Sequence, residues 1–292
     1  MLNCDYRVPE TVAEACALMH AHETARILAG GTDLMVLMRA GKLSPDLIVD
    51  IKKLPLDYMS EEQGGLRIGA TTRHADIAAH GAVQARWPAL AAACRAVGGL
   101  ATRHRGTLGG NVMNASPVAD TVPVLLAYDA VAQLSGLGGE RAVPLADFFA
   151  GYRSTVLERG EILTGLFIPS PSVRSASSFY KKGKRRALYI ASVNLALRID
   201  LADDGVVQTA RIALGSVAAT SILSRAAADL LEGRPFDESG IEAAASKAAE
   251  TITPISDVRS QAWYRTRLTE TLVRRGLTEL RERLVSQSPE GA

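Results

Sequence analysis

Cysteine is nearly missing from this sequence. Among 292 residues there are three, Cys4, Cys16 and Cys94, odd in number and never in a CxxC pair. That excludes a disulfide framework and leaves no thiolate set for zinc or an iron–sulfur cluster. Reduced packing residues are the expected role, and the cytoplasm the expected compartment. Long apolar runs are missing as well. None reaches the ~20 residues that cross a bilayer, and MLNCDYRVPET has neither the basic start nor the apolar core of a secretory signal. Net charge is only +2, so nothing argues for nucleic acid or an anionic membrane surface as partner. The longest basic cluster is KKGKRR at 181–186. The five histidines show no ligand spacing. No metal site is expected, and no catalytic residue: no general base or nucleophile stands out.

What remains suffices for a real core, at 47% hydrophobic and 22% charged residues, and the length suits two or three domains. Residues 9–22, PETVAEACALMHAH, predict a helix with Pro9 and Thr11 as start signals. RILAG (26–30) predicts a strand entering glycines, DLMVLMRAG (33–41) a helix stopped by Gly41, and LIVDI (47–51) a strand. The first 55 residues thus form a small α/β unit. LRIGATT (66–72) predicts a strand. One long Ala-rich helical stretch from His74 to Val97 follows, with a break at Pro88. VPVLLAYDAVAQLSG (122–136) predicts a short helix passing into a strand, and EILTGLFIP (161–169) a strand. PSPSVRSAS (169–177) is the best linker candidate. Beyond it come several strands, two of them joined by a turn at DDG (203–205), and from about 221 the chain is helical. The tail QSPEGA is expected to fray.

Two glycine-rich stretches stand out. One is AGGTDL at 29–34, strand before and helix after. The other is RGTLGGNVMNASPVAD at 105–120. Glycine takes positive φ and lets a ligand approach bare backbone N–H groups; successive N–H groups form anion-binding nests, and a helix start adds its positive end. Thr32, Thr107, Asn111 and Ser116 add neutral hydrogen bonds. The chemistry on offer is diphosphate recognition without metal. Neither stretch is a Walker loop, lacking GK[ST], nor a Rossmann fingerprint, lacking GxGxxG. Alone, AGGTDL also describes a simple strand–turn–helix corner. Together the two suit a ligand with two phosphates.

AGGTDL and RGTLGGNVMNASPVADTVPVLLAYDA, in that order, resemble the two FAD loops of the flavin-binding medium subunit of the molybdenum hydroxylases, the family of xanthine and carbon monoxide dehydrogenases. GYRSTVLERGEILTGLFIP, YKKGKRRALYIASVNLALR and TPISDVRSQAWYR resemble its later segments, so the resemblance covers nearly the whole chain. It implies an α+β chain. A FAD-binding fold of the PCMH/vanillyl-alcohol-oxidase type in two subdomains, 1–55 and 56–172, would precede a C-terminal α/β domain with a small antiparallel sheet and helices, 173–286, and a tail, 287–292.

The resemblance further implies that Ala29, Gly30, Gly31, Thr32, Asp33 and Leu34 form the first-loop contacts to FAD, and that Thr107, Gly109, Gly110, Asn111, Asn114 and Ser116 form the second. Asp120 would contact the ribityl–adenosine part, although it also suits a helix N-cap. Lys181 would lie near the flavin ring, although it also suits a solvated basic cluster with Lys182 and Lys184. Thr71 and Thr72 would contact the cofactor; His74 and His104, beside the loops, are read as structural. The implied role is electron transfer. Molybdopterin and [2Fe-2S] clusters would reside on large and small partner subunits of an L–M–S heterotrimer, itself dimerised. NAD-using members carry acidic residues after the Arg-Arg pair, whereas here Ala187, Leu188 and Tyr189 follow it. That disfavours NAD as acceptor, and Tyr189 would cover one face of the ring. The alternatives are a self-sufficient FAD oxidoreductase of the same fold and an assembly protein that has lost FAD.

Overall fold

Thr11 starts the first helix by accepting the Glu14 backbone N–H on its hydroxyl at 3.1 Å, a standard cap. The computed structural model describes residues 4–185 and 189–286. The described chain falls into two units, each built from separated stretches: 4–77, 99–115 and 129–169 form the first, and 78–98, 116–128, 170–185 and 189–286 the second.

In chain order the elements begin with β1 (Asp5–Arg7), α1 (Val12–Ala21), β2 (Arg26–Leu28), α2 (Leu34–Arg39), β3 (Leu47–Asp50), β4 (Met59–Glu62) and β5 (Gly65–Gly69). Six helices follow: α3 (His74–Ala79), α4 (Gly81–Arg86), α5 (Pro88–Ala96), α6 (Leu100–Arg103), α7 (Leu108–Met113) and α8 (Thr121–Ala127). Then come β6 (Val131–Gly136), β7 (Gly139–Pro144), β8 (Phe149–Gly151), β9 (Ser154–Thr155), β10 (Ile162–Pro169), β11 (Ser175–Lys182), β12 (Val193–Leu201), β13 (Val207–Gly215) and β14 (Ile222–Leu223). The helices α9 (Arg225–Ala228), α10 (Glu238–Glu250) and α11 (Ala262–Ser286) close the chain.

In the first unit, β1, β3 and β2 form a parallel sheet in that order. Parallel neighbours need crossover connections, and α1 and α2 supply them. Ala15 and Cys16 of α1 pack on Leu47 and Val49 of β3. A second sheet, antiparallel, has the order β4–β5–β10–β6–β7. Its middle strand, β10, is the last to be made, and it locks the β4–β5 and β6–β7 hairpins together. The end of β2 delivers the chain to the first glycine-rich loop, and the residues just after β5 receive the second, Ala70 O and Thr72 O accepting from Gly109 N and Leu108 N.

In the second unit, β11, β12, β13 and β14 form an antiparallel sheet. Every residue of β12 is buried, which suits its mostly apolar sequence; Asn194, Arg198 and Asp200 are its buried polar residues. Leu195, Leu197, Ile212 and Leu214 pack with Ile241 and Ala244 of α10 and Leu277 and Leu280 of α11. Gly276 marks the closest approach of α11, for a Cβ there would lie 2.4 Å from Leu197 Cδ1.

Three expectations change. The stretch 74–97 is three helices rather than one with a single break. His80 is extended, at φ −69° and ψ 123°, and separates α3 from α4, while Pro88 opens α5 where its missing N–H is harmless. The linker narrows, because β10 runs to Pro169 and β11 begins at Ser175. The strand β1 was not foreseen; three exposed residues carry no hydrophobic period. Among the described residues no helix is long and apolar enough to cross a membrane.

Candidate functional site

The first loop turns at Gly31, whose φ of +72° suits a residue without Cβ. The loop is half-buried over most of its length. Among the described residues, no acceptor takes a hydrogen bond from the backbone N–H groups of Gly30, Gly31, Thr32 or Asp33. Four such donors in succession make a nest for an acceptor from outside the chain, and an anion suits it best. Asp33 stands at the N-cap position of α2, yet its carboxylate makes no capping bond. Leu34 begins that helix, which has only six residues.

The second loop lies flush against the first. A Cβ on Gly30 would sit 2.0 Å from the carbonyl oxygen of Arg105 and 2.9 Å from the Cα of Gly106. Backbone packs on backbone, and Ala29–Asp33 and Arg105–Thr107 share one surface. The Thr32 hydroxyl also lies against Gly106. Thr107 caps α7, its Oγ1 accepting from Gly110 N at 3.1 Å. Gly109 N donates to Ala70 O at 3.0 Å, and a Cβ on Gly109 would meet that oxygen at 2.6 Å. Leu108 N and Asn111 N are likewise taken, by Thr72 O and Thr107 O. The loops therefore differ in kind: the first keeps its N–H groups unpaired, and the second uses most of its own to hold shape. The Asn114 side-chain oxygen accepts from Arg153 Nη1 at 2.8 Å.

Behind the loops lie Thr71, Thr72 and His74, all buried. Thr72 is engaged with Tyr58, donating to its carbonyl at 3.0 Å and accepting from its N–H at 3.2 Å. The Thr71 hydroxyl and His74 Nδ1 are buried without a partner among the described residues. The His74 backbone N–H donates to Gly106 O at 3.1 Å, tying α3 to the second loop. His104, by contrast, is exposed on the turn after α6.

Burial lowers the imidazole of His74 to about 4. Folding therefore favours its neutral form. Stability from this source is complete above the unfolded value near 6.5 and is lost as pH falls toward 4. Wild type is expected to lose about 3 kcal/mol more than His74→Gln between pH 7 and pH 4. Denaturant titrations of both proteins at each pH check this; equal losses would refute it.

In the second unit, Ser116 accepts a long bond from Val118 N at 3.4 Å and Pro117 O accepts from Ser216 N at 2.7 Å, which shapes the entry to α8. Asp120 occupies the N-cap position of α8 but makes no cap bond. Its carboxylate instead meets Lys181 Nζ at 2.6 Å, with the two side chains 9% and 5% exposed. Lys181 Nζ also donates to Ala96 O at 2.9 Å and lies 4.8 Å from the centre of the Tyr189 ring. Asn194 donates to Ala119 O at 2.9 Å and accepts from the Ser216 hydroxyl at 3.0 Å. The register explains the grouping. Lys181 pairs across the ladder with Asn194, and Asn194 with Gly215. A Cβ on Gly215 would lie 2.3 Å from Asn194 Oδ1, so glycine is what admits the amide. Burial raises the Asp120 carboxyl to about 6, against the lowering by Lys181 and Asn194.

The structure thus gathers Ala29–Leu34, Thr71, Thr72 and Thr107–Asn114 in the first unit, and Ser116, Asp120 and Lys181 in the second. The Lys181 side chain is buried while Lys182 and Lys184 are exposed, so the solvated-cluster reading does not hold for it. Three participants were missed in the sequence: Arg153, Asn194 and Ser216. Asn194 had a signal, as the lone amide in an apolar run. Ala187, Leu188 and the tail 287–292 lie outside the described residues. Among the described residues no group of His, Cys, Asp or Glu is placed to hold a metal ion. The first-unit loops fit a dinucleotide diphosphate: unpaired N–H donors, neutral hydroxyls, and backbone accessible where no Cβ stands.

Residues 2–171 match the family described as FAD binding domain in molybdopterin dehydrogenase, and 178–280 match the CO dehydrogenase flavoprotein C-terminal domain. The glyceraldehyde dehydrogenase medium chain of Sulfolobus acidocaldarius is 32% identical, over 93% of this chain and 96% of its own. The nicotinate dehydrogenase FAD-subunit of Eubacterium barkeri is 31% identical, over 91% and 92%. Among solved structures, a chain of the carbon monoxide dehydrogenase from Hydrogenophaga pseudoflava superimposes with a TM-score of 0.92 at 32% identity, covering 96% of this chain and 98% of that one.

Proposed function

Since the chain belongs to the FAD-binding medium subunits of the molybdenum hydroxylases, we propose that it is the electron-transfer subunit of a heterotrimer. It takes electrons from an iron–sulfur subunit and passes them to an external acceptor. The observation that carries this reading is the run of four unpaired N–H groups at Gly30–Asp33, flush against the second loop. When bound, FAD supplies both one- and two-electron chemistry. The residues of this chain supply binding and orientation.

Gly30, Gly31, Thr32 and Asp33 present donors to the diphosphate, with Ala29 and Leu34 setting the ends of the turn. Thr107, Gly109, Gly110, Asn111, Asn114 and Ser116 form the second wall, and Thr71 backs it, positioned by Thr72. Asp120 is assigned to the ribityl–adenosine part. Lys181, held by Asp120, is assigned to the side of the flavin ring, with Tyr189 next to it. The PCMH-type arrangement of the first unit and the dimerised L–M–S assembly belong to the same reading, with the molybdenum and [2Fe-2S] centres on the partners. The cytoplasm is the matching compartment: Cys16 and Cys94 are buried and free, and burial raises both thiols.

The test is an absorption spectrum of the full chain alone and of the complex captured through a tag on it. A flavin band near ~450 nm is expected. Purine, N-heterocycle, aldehyde or CO should bleach it only when the partner subunits are present. A lone yellow chain bleached by one of these would establish the self-sufficient oxidoreductase instead, and a colourless complex would sink both.

A further inference from the structure

The hairpin of β8 and β9 carries Tyr152 and Arg153 at its tip. Arg153 has φ +53°, a conformation that side chains with a Cβ seldom adopt. Strain of this kind persists only where surrounding contacts impose it. Those contacts reach both glycine-rich loops. Arg153 N donates to Ala115 O at 3.2 Å, and Nη1 donates to Asn114 Oδ1 at 2.8 Å. The same Nη1 lies 3.8 Å from Asp33 Oδ2. One residue therefore touches the first loop at Asp33 and the second at Asn114 and Ala115.

The charge pattern gives this contact a purpose. Asp33 places a carboxylate beside a nest of N–H groups suited to an anion. Left alone it would repel a diphosphate. The guanidinium offsets that charge, its Nη1 serving Asn114 while facing Asp33, and its planar group loses less freedom per hydrogen bond than a lysine ammonium does. Nε and Nη2 have no acceptor among the described residues.

We propose that Arg153 is a positioning residue for FAD, a clasp that offsets Asp33, pins Asn114 and keeps the two loops closed as one cradle. This rests on the reading that the loops hold FAD. The test uses the full chain freed of flavin and titrated with FAD, followed by fluorescence, for wild type and for Arg153→Gly, Arg153→Lys, Asn114→Ala and the Arg153→Gly/Asn114→Ala double variant. Glycine relieves the positive φ while removing the guanidinium. Arg153→Gly is expected to unfold at the wild-type temperature or above, yet to bind FAD about ten- to a hundredfold more weakly. Arg153→Lys should recover only part of the affinity. The double variant should lose less affinity than the sum of the two single losses, because both changes remove the Arg153–Asn114 contact. Affinity within twofold of wild type in Arg153→Gly would overturn the proposal, as would additive losses in the double variant. A thermal stability that fell in step with affinity would reduce Arg153 to a structural turn residue and overturn it too. Wild type failing to bind FAD would instead strike down the reading of the loops.

Discussion

Replacing Gly30 with alanine is expected to abolish FAD binding by the full chain. The added Cβ would stand 2.0 Å from Arg105 O and 2.7 Å from its carbonyl carbon. Real Cβ atoms essentially never come within 3 Å of such neighbours. Neither neighbour is a flexible side chain, so one loop must move by an ångström or more. Overpacking of this sort costs about 1–3 kcal/mol of stability. The larger effect falls on the ligand. The N–H groups of Gly30–Asp33 ride on the same turn, and losing two of their charge-assisted bonds weakens binding by at least about a hundredfold. Gly81→Ala is the control: a Cβ there meets nothing within 4 Å and φ is ordinary. It should leave FAD affinity unchanged and stabilise the protein by up to about 1 kcal/mol. Fluorescence titration and thermal melts of the two variants decide the matter. Wild-type affinity in Gly30→Ala would mean that the two loops do not act as one surface.

The second large effect is expected from Lys181→Met. It leaves the Asp120 carboxylate buried with only a long 3.4 Å bond from Asn194. Breaking one side of a buried ion pair costs about 3–5 kcal/mol. Pairing it with Asp120→Leu removes both charges, and the double variant should recover most of that loss. Urea titrations of wild type, both single variants and the double variant give the cycle; additive losses would show that the pair is not coupled. The pH dependence has a definite sign. With its folded value raised to about 6, Asp120 binds its proton more tightly in the folded state. Its contribution is full below pH 4 and declines as pH rises through 6. His74 acts oppositely over nearly the same range. Each is therefore read as a difference between wild type and its own variant, never from one curve.

Much of the fold was legible because local signals agreed with tertiary structure. Thr11, Gly41 and Pro88 act where their chemistry predicts, and Asp203–Gly205 makes the turn between β12 and β13, Gly205 at φ +82°. What was illegible depends on long-range pairing. Nothing near Asp120 in the sequence says that its carboxylate will meet Lys181, 61 residues away, rather than cap its own helix. The ladder register that sets Lys181 beside Asn194 has no local signature. Arg153 has no local signal in the sequence, since its positive φ and its reach to residues 33 and 114 exist only in the folded chain. Lys181 was separable from Lys182 and Lys184 only once β11 fixed which of them is buried.

The position of β10 in the middle of its sheet bears on how the chain is made. Synthesis delivers the β4–β5 hairpin, then six helices, of which α4, α5 and α8 belong to the other unit, then the β6–β7 hairpin, and only at Ile162–Pro169 the strand that joins them. Until that strand emerges, β5 and β6 each present an unpaired edge, the kind of surface on which chains aggregate. Nor does the second unit start where the first ends, since residues 78–98 and 116–128 belong to it. A gene cut at residue 170 would give an N-terminal fragment that carries part of the second unit and a C-terminal fragment that lacks it. Expression of the N-terminal piece alone should yield an insoluble product, and the protein should tolerate splitting only if both pieces are made in the same cell.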